Sequence, residues 1–143
     1  MKYNFLILVL SIGFFACSKG GETPVTPKPP PVVVVEPSLA AAGAVVIDID
    51  PGTTNIYAVT GTSQKIEVKL LAIPVSGVTI ETKLIKVLDN TTAFTNSISS
   101  TSLNNPVTIT GFVTGILYNV SVVVTSKTTA SNTKTIEFKI ASK

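Results

Sequence analysis

Residues 38–143 contain a series of short runs in which apolar and polar side chains alternate. Alternation with a period of two is typical of strands that bury one face. Valine, isoleucine and threonine dominate these runs, and their β-branched side chains suit a pleated, half-buried surface. The runs predict a core built from their inward positions, which are Ile66, Val68 and Leu70; Val78, Ile80 and Leu84; Val107 and Ile109; Tyr118, Val120, Val122 and Val124; and Ile136, Phe138 and Ile140.

Turn-forming residues separate these runs and set the number of strands. Two further short strands are predicted at residues 44–49 and 55–59, on either side of Pro51-Gly52, and a weaker one at residues 93–99. No segment of helix length has a 3.6-residue period. Seven or eight short strands with this spacing predict an all-β fold, an antiparallel sandwich of two sheets. The turn signals are Gly61, residues 74–77, Asp89-Asn90, residues 104–106, Gly115 and Ser131-Asn132.

A different pattern precedes the domain. Met1 and Lys2 are followed by a run at residues 5–16 that is apolar except for one serine and one glycine. A positive start, a short apolar run and a small residue before a boundary are typical of a secretory signal peptide, predicted here at residues 1–16. As a helix this run would span ~18 Å, against ~30 Å for a bilayer core, which disfavours a permanent membrane span.

Ala16-Cys17-Ser18 resembles the lipobox of bacterial lipoproteins, and Cys17 is the only cysteine in the chain. The resemblance implies that the signal is cut before Cys17, that the cysteine is acylated, and that its lipid chains anchor the protein in the membrane. Phe14 and Phe15 stand where the family prefers leucine and a small residue, a relaxed box that looks like those of Bacteroidetes-type bacteria. Ser18 is compatible with passage to the outer membrane, and periplasmic and surface-exposed orientations both stay open. The alternative is a free or buried cysteine after an ordinary signal peptide.

Residues 17–37 join the predicted lipidation site to the domain. Six of residues 23–37 are proline. Prolines favour the extended polyproline helix, in which this stretch would reach ~45 Å as a semi-rigid spacer at ~3.1 Å per residue. The sequence therefore predicts three parts: a lipoprotein signal peptide at residues 1–16, a lipidated N-terminus and proline-rich linker at 17–37, and a β-sandwich domain at 38–143.

Residues 112–122 (FVTGILYNVSV) refine the fold prediction. They resemble the approach to strand F in fibronectin type III domains, with Phe112, Gly115 and Tyr118 at matching positions and alternating valines after them. In that family the tyrosine hydrogen-bonds back to the preceding turn, so the resemblance implies that these three residues build a tyrosine corner. Thr114 replaces the usual proline and the chain has no tryptophan, so an immunoglobulin-like sandwich of another subfamily fits nearly as well.

Composition excludes several classes of function. The formal net charge is +3, all eleven basic residues are lysine, and no basic cluster is present, which argues against a nucleic-acid partner. The chain has no histidine, and acylation of Cys17 would leave no thiol. The usual general base, sulfur nucleophile and zinc ligands are therefore missing, and the sequence predicts neither an enzyme nor a bound cofactor.

Asp48 and Asp50 form an acidic pair with a suggestive spacing. If both extend from one strand, their carboxylates share a face ~6.5 Å apart. Such oxygens are candidate ligands for Ca²⁺, which takes ~six to eight oxygen atoms. A small carboxylate-dependent hydrolase is a further alternative, but it needs a cleft between the two groups. The favoured interpretation is a solvated strand face.

Together these features predict a non-catalytic, membrane-anchored envelope lipoprotein that presents a binding or adhesion module to an unidentified protein or glycan. Tyr57 and Phe94 are the aromatic residues that the pattern leaves available for an exposed platform, but without tryptophan the favoured interpretation is that they pack in the core or at an edge. The loops at the sandwich ends are alternative contact sites. The alternative function is a structural or assembly subunit of an envelope complex that contacts partners through a sheet edge.

Overall fold

Eight strands follow one another along residues 35–143, which are the residues that the computed structural model describes. The only helical element in this range is a single 3₁₀ turn at Gly52–Thr54, and no helix here is long and apolar enough to cross a membrane. The prediction of an all-β fold is confirmed. The strands are β1 (Ala40–Val46), β2 (Ile56–Val59), β3 (Ser63–Ala72), β4 (Val78–Lys86), β5 (Thr92–Ser100), β6 (Asn104–Thr110), β7 (Leu117–Ser126) and β8 (Thr133–Ser142).

The strands form two sheets, as the turn spacing predicts. One has three strands in the order β1-β3-β6, and the other has five in the order β2-β8-β7-β4-β5. All neighbours are antiparallel except β2 and β8, which are parallel. The prediction of a purely antiparallel sandwich is therefore wrong for this pair. The reason is that the segment between β1 and β2 carries the chain from one sheet to the other without reversing its direction.

The two sheets enclose one apolar core, which makes the fold sandwich-like. The inward residues of β3, β4, β6 and β7 are buried as predicted, and Tyr118 and the valines that follow it have no exposed surface. Each such side chain contributes ~1.5–3 kcal/mol by leaving water. The prediction overestimates burial in β8, since Ile140 is buried but Ile136 and Phe138 are only half-buried. They lie before residue 139, where pairing with β2 begins, so this part of β8 has no strand on its outer side.

The loops gather at two opposite ends of the domain. The linker end is formed by residues 73–77, 101–103 and 127–132, because Val78 is paired with both Ser100 and Ser126. The distal end is formed by residues 60–62, 87–91 and 111–116, because Lys86 is paired with Tyr118. The ten residues of β7 join the two ends and separate them by ~30 Å at ~3.3 Å per residue.

Candidate binding site

The structure does not place Asp48 and Asp50 together on a strand. β1 ends at Val46, and Asp48 follows in a turn with a left-handed φ of 64°, a conformation that aspartate tolerates better than most residues. The Asp50 carboxylate accepts a hydrogen bond from the Gly52 amide at 2.9 Å, at the start of the 3₁₀ turn. The predicted shared strand face is therefore wrong, because the strand stops before either carboxylate.

The surroundings of Asp48 and Asp50 add no further ligands. Both side chains are exposed, and among residues 35–143 no three Asp, Glu, His or Cys side chains come close enough to hold a metal ion. A shallow cleft of about 210 Å³ beside Asp48 is lined by Ile47, Ser63, Gln64, Lys65 and Thr108, without Asp50. The two carboxylates therefore do not face each other across this cleft, as a hydrolase pair would.

Tyr118 fixes the connection between β6 and β7. Its hydroxyl accepts a hydrogen bond from the Val113 amide at 2.9 Å and donates one to the Gly111 carbonyl at 3.5 Å. The Phe112 ring packs edge-on against the Tyr118 ring, with centroids 5.4 Å apart. Gly115 has a φ of +83° and its amide donates to the Ser142 carbonyl at 2.8 Å. These contacts hold the loop rigidly against the core, and they leave the Val113 side chain 56% exposed.

The turn between β4 and β5 is equally well ordered by its own polar groups. The Asp89 carboxylate accepts hydrogen bonds from the Thr91 hydroxyl at 2.7 Å and the Thr91 amide at 3.0 Å. These two bonds hold the pKa of Asp89 below its ordinary value. Asn90 adopts a left-handed φ of 56° and its amide donates to the Lys86 carbonyl at 3.0 Å. The turn presents an apolar residue to solvent at its tip, since Leu88 is 89% exposed.

These two connections meet at the distal end and form an apolar cleft. The Val87 amide donates to the Leu117 carbonyl at 3.0 Å, which ties the β4–β5 turn to the start of β7. The cleft has a volume of about 330 Å³, and no residue that lines it has an ionisable side chain. We call it the distal cleft, and it is lined by Val87, Leu88, Gly115, Ile116 and Leu117.

The chemistry of the distal cleft suits contact rather than catalysis. Its volume lies at the lower end of the ~300–1,000 Å³ typical of small-molecule sites. Aliphatic walls without a charged group can bury an aliphatic side chain or a similar apolar segment of a partner. This site was not predicted from the sequence. The available signal was Val87-Leu88 directly before the Asp89-Asn90 turn, since apolar residues at a loop tip gain nothing from the core.

A cluster of hydrogen-bonded polar side chains lies at the linker end, and it includes a residue that the sequence predicts to be part of the linker. The Glu36 carboxylate accepts hydrogen bonds from the Ser126 and Thr128 hydroxyls, both at 2.5 Å, and from the Asn132 amide group at 3.1 Å. The hydroxyl bonds lower the pKa of Glu36 to about 2, so the carboxylate stays ionised well below its ordinary range. We call these four residues the Glu36 latch.

Asn132 extends the latch to the backbone that follows Glu36. Its amide nitrogen also donates to the Pro37 carbonyl at 3.0 Å, and its oxygen accepts from the Leu39 amide at 2.9 Å. The latch therefore attaches residues 36–39 to the loop between β7 and β8. The sequence counts Glu36 and Pro37 as linker because proline dominates the preceding stretch, and their partners lie more than ninety residues away.

The aromatic residues proposed for an exposed platform do not form one. Tyr57 is buried, with only 8% of its surface exposed, and its ring packs edge-on against Phe138 with centroids 5.5 Å apart. Phe94 is half-buried against the core. Packing in the core, the interpretation favoured from the sequence, is confirmed for Tyr57, because it lies on the inward side of β2. These two rings therefore offer no flat surface for a sugar to stack on.

The predicted lipidation site Cys17, the signal peptide and most of the linker lie outside the described residues. A scan of the chain against protein-family models gives no match, and a search among curated proteins gives none either. The class that the structure itself defines is a sandwich-like all-β fold of two sheets.

Proposed function

We propose that this chain is a non-catalytic, membrane-anchored envelope lipoprotein whose domain binds a partner through the distal cleft. The observation that supports this proposal most strongly is the position of the cleft relative to the Glu36 latch. The chain arrives at the linker end, where the latch holds it, and the distal cleft with the exposed Leu88 lies at the opposite end of β7. Val75 and Leu103 are also exposed, at the linker end, but neither of them lines the distal cleft. The distal cleft therefore lies at the end of the domain opposite to residues 36–39, where the chain enters it.

Exposure of Leu88 is costly unless it serves contact. A buried leucine gains ~1.5–3 kcal/mol, and this residue forgoes that gain at the tip of a turn held by several hydrogen bonds. Single exposed apolar residues are common on protein surfaces, but here Val87, Leu88 and Ile116 line one cleft. Their grouping on rigid backbone favours a preorganised contact, which loses little entropy on binding.

The anchored half of the proposal is supported by the sequence. The apolar run at residues 5–16 and Ala16-Cys17-Ser18 resemble a lipoprotein signal, and the proline-rich linker would hold the domain off the outer membrane. Two or more acyl chains would be needed for stable anchoring. Mass spectrometry of the N-terminal peptide from membranes of the producing cell is expected to find Cys17 acylated and residues 1–16 removed. An unmodified Cys17 would contradict the anchor and the envelope localisation.

We also propose that the domain is of the immunoglobulin-like or fibronectin type III-like kind. Three observations support this assignment. The strand order divides three and five between the sheets, β2 pairs in parallel with β8, and the Tyr118 hydroxyl bonds back to the β6–β7 connection. A sandwich of this kind carries its contact surfaces on the loops at its ends, where the distal cleft lies.

The partner that suits the cleft best is a protein segment that contributes an aliphatic side chain. The walls are aliphatic and uncharged, and neither Tyr57 nor Phe94 is displayed for stacking on a sugar. A glycan would depend on hydrogen bonds that the cleft-lining side chains cannot make. We therefore place a protein ligand first and a glycan second.

Replacing Leu88 with aspartate tests the site. Because Leu88 is almost fully exposed, Leu88→Asp is expected to leave the free energy of unfolding nearly unchanged. Binding should weaken about tenfold or more, since the partner would lose the burial of one leucine and meet a charge. The measurement is a screen of the purified chain against envelope proteins, host proteins, cell-wall fragments and glycans, followed by titration of each hit with both forms.

Val75→Asp is the matched control for this experiment. Val75 is also fully exposed, but it lies at the linker end. It should have no effect on binding. The proposal would be overturned if Leu88→Asp and Val75→Asp weakened every hit equally, or if the folded chain bound nothing in the screen.

Assembly into an envelope complex is the second candidate function. The observation that favours it is the nine-residue edge strand β5, which contains no charged residue and no proline. Such an edge can add a strand from a partner by backbone hydrogen bonding.

A further inference from the structure

Of the four strands at the sheet edges within residues 35–143, β5 offers the longest regular stretch that is free of charged residues and proline. β1 has two register irregularities, β2 has only four residues, and β6 contains Pro106. Each of these features discourages edge-to-edge pairing. β5 has nine residues, Thr92–Ser100, with no charged residue and no proline. It has one register irregularity, at Ala93, which leaves residues 94–100 regular. A regular edge of this kind is a template for another strand.

We infer that β5 pairs with β5 of a second copy of this chain, in antiparallel orientation, so that two five-stranded sheets join into one. This inference deepens the assembly candidate and rests on the same strand edge. It does not depend on the distal cleft, which lies in the loops at one end of the domain. Three features of β5 support it: the direction of its free backbone groups, the burial of its inner side chains, and its match to itself.

The hydrogen bonds of β4 show which backbone groups of β5 are free. The Lys86 amide donates to the Thr91 carbonyl, and the Val87 amide donates to the Leu117 carbonyl of β7. Successive residues of β4 therefore point alternately toward β5 and toward β7. The even-numbered residues of β4 point their backbone groups toward β5. Their partners there, which are Phe94, Asn96 and Ile98, are therefore the β5 residues that hydrogen-bond to β4. The N–H and C=O groups of Thr95, Ser97 and Ser99 point outward along the free edge.

The inner face of β5 is incompletely covered. Phe94 is paired with Leu84, and Ile98 is paired with Ile80. Leu84 and Ile80 are fully buried, whereas Phe94 and Ile98 are only half-buried. The cause is the unequal size of the sheets, since three strands cannot cover the whole inner face of five. A second copy alongside β5 would bring apolar side chains to this open border.

The sequence of β5 matches itself best when Asn96 lies on the two-fold axis. Thr95 then pairs with Ser97 of the second copy through the outward backbone groups, and Phe94 lies opposite Ile98 of the second copy. On the outer face, Ser97 lies beside Glu81 and Thr95 lies beside Lys83. The joined sheet places Glu81 of one copy in the same row as Lys83 of the other, three strand spacings or ~14 Å away. Within each copy Glu81 and Lys83 already form an ion pair at 2.9 Å, so the outer face brings no unbalanced charge to the joint.

The neighbouring register fits less well. If Ser97 lay on the axis, the outer face would change little, because Glu81 is paired with Lys83 of its own copy at 2.9 Å and lies three strands from Glu81 of the second copy. On the inner face Phe94 would meet Ser100 and Ile98 would meet Asn96, so each apolar side chain would lie opposite a polar one. The inner face thus selects the register centred on Asn96.

Disulfide cross-linking tests the pairing and its register together. The full chain is prepared with Cys17→Ser, so that Asn96→Cys or Ser97→Cys supplies the only cysteine. With Asn96 on the axis, its pair is not hydrogen-bonded, and the two Cα atoms are ~4.5 Å apart. This distance lies within the ~4.4–6.8 Å range for disulfides. The two copies of Ser97 are offset by two residues and lie beyond that range.

Oxidation is expected to convert Asn96→Cys to a covalent dimer and to leave Ser97→Cys almost entirely monomeric. Equal cross-linking of both variants would indicate random collision and would overturn the inference. Sedimentation of the unsubstituted chain provides an independent measurement if Asn96→Cys fails to fold. A shift from monomer to dimer with rising concentration is expected, and a monomer at all concentrations would overturn the inference.

The outcomes also separate this inference from the assembly function. If Asn96→Cys cross-links only to a different protein from the envelope, self-pairing is wrong while assembly through β5 stands. If the chain dimerises as expected and no other component joins it, self-pairing stands and the wider assembly role fails. Loss of ligand binding in Leu88→Asp has no bearing on either result.

Discussion

Alanine at position 77 is expected to destabilise the domain by about 3 kcal/mol. Gly77 has a φ of +83°, where a residue with a Cβ costs ~1–2 kcal/mol. A Cβ at this position would also lie 2.6 Å from the Ser100 carbonyl oxygen and 3.0 Å from the Thr101 methyl group. Relieving such a contact requires a backbone shift, which costs a further ~1–3 kcal/mol.

The backbone around Gly77 has little freedom to move away. The Gly77 amide donates to the Pro74 carbonyl at 2.9 Å, and its carbonyl accepts from the Lys127 amide at 3.2 Å. Gly77 therefore joins the β3–β4 loop to the β7–β8 loop while lying against the end of β5. A shift of this residue disturbs three connections at the linker end at once.

Gly61→Ala separates the two contributions. Gly61 has almost the same φ, +85°, but a Cβ there would meet no atom within 4 Å. Its replacement should cost only the ~1–2 kcal/mol of the backbone conformation. Urea unfolding of both variants and the unsubstituted chain measures the difference. Equal losses of stability would contradict the contact at Gly77 as the larger cause.

Alternation of apolar and polar residues predicts burial correctly where the inward face of a strand is covered along its whole length. Tyr118, Val120, Val122 and Val124 lie on a central strand, so their inward side meets the opposite sheet along its whole length. The same reasoning overstates Ile136 and Phe138, which have the right period but lie where β8 has no outer neighbour. Alternation reports the direction of a side chain, and the neighbours that cover it are set by the topology.

The features that the sequence analysis missed depend on contacts between distant residues. The parallel pairing of β2 and β8 joins residues about eighty positions apart, and no local pattern encodes it. Glu36 lies in a proline-rich stretch, and its carboxylate gains hydrogen-bond partners only because the fold places Ser126 and Asn132 beside it. Asp48 ends β1 through a left-handed turn, although its alternation with Ile47 and Ile49 fits a continuing strand.

The distal cleft combines features that local sequence predicts with one that depends on contacts between distant residues. Each of its halves has a local signal, with Val87-Leu88 before a turn and Gly115-Ile116 after the predicted corner. Their meeting depends on β4 and β7 being neighbours in the five-stranded sheet. Sequence reasoning can therefore mark the apolar turn residues as unusual, but only the pairing of strands joins them into one surface.

Proline substitutions at two adjacent residues of β5 test which backbone groups face the free edge of the five-stranded sheet, because the two should differ strongly in their effect on stability. Asn96→Pro is expected to destabilise the domain by about 3 kcal/mol. Its N–H points toward Thr82 on β4, so proline removes a ladder bond, leaves a carbonyl of a buried residue without its partner and strains the strand.

Ser97→Pro is expected to cost less than about 1 kcal/mol, since its N–H points to the free edge and proline is tolerated where no ladder bond is lost. The same substitution should abolish dimerisation, because the outward donor of Ser97 is one that the second copy needs. Thermal unfolding compares the two variants, and sedimentation of Ser97→Pro measures self-association. Equal destabilisation by both prolines would contradict the assignment of the free edge. A folded Ser97→Pro chain that still dimerised would show that the copies associate through another surface.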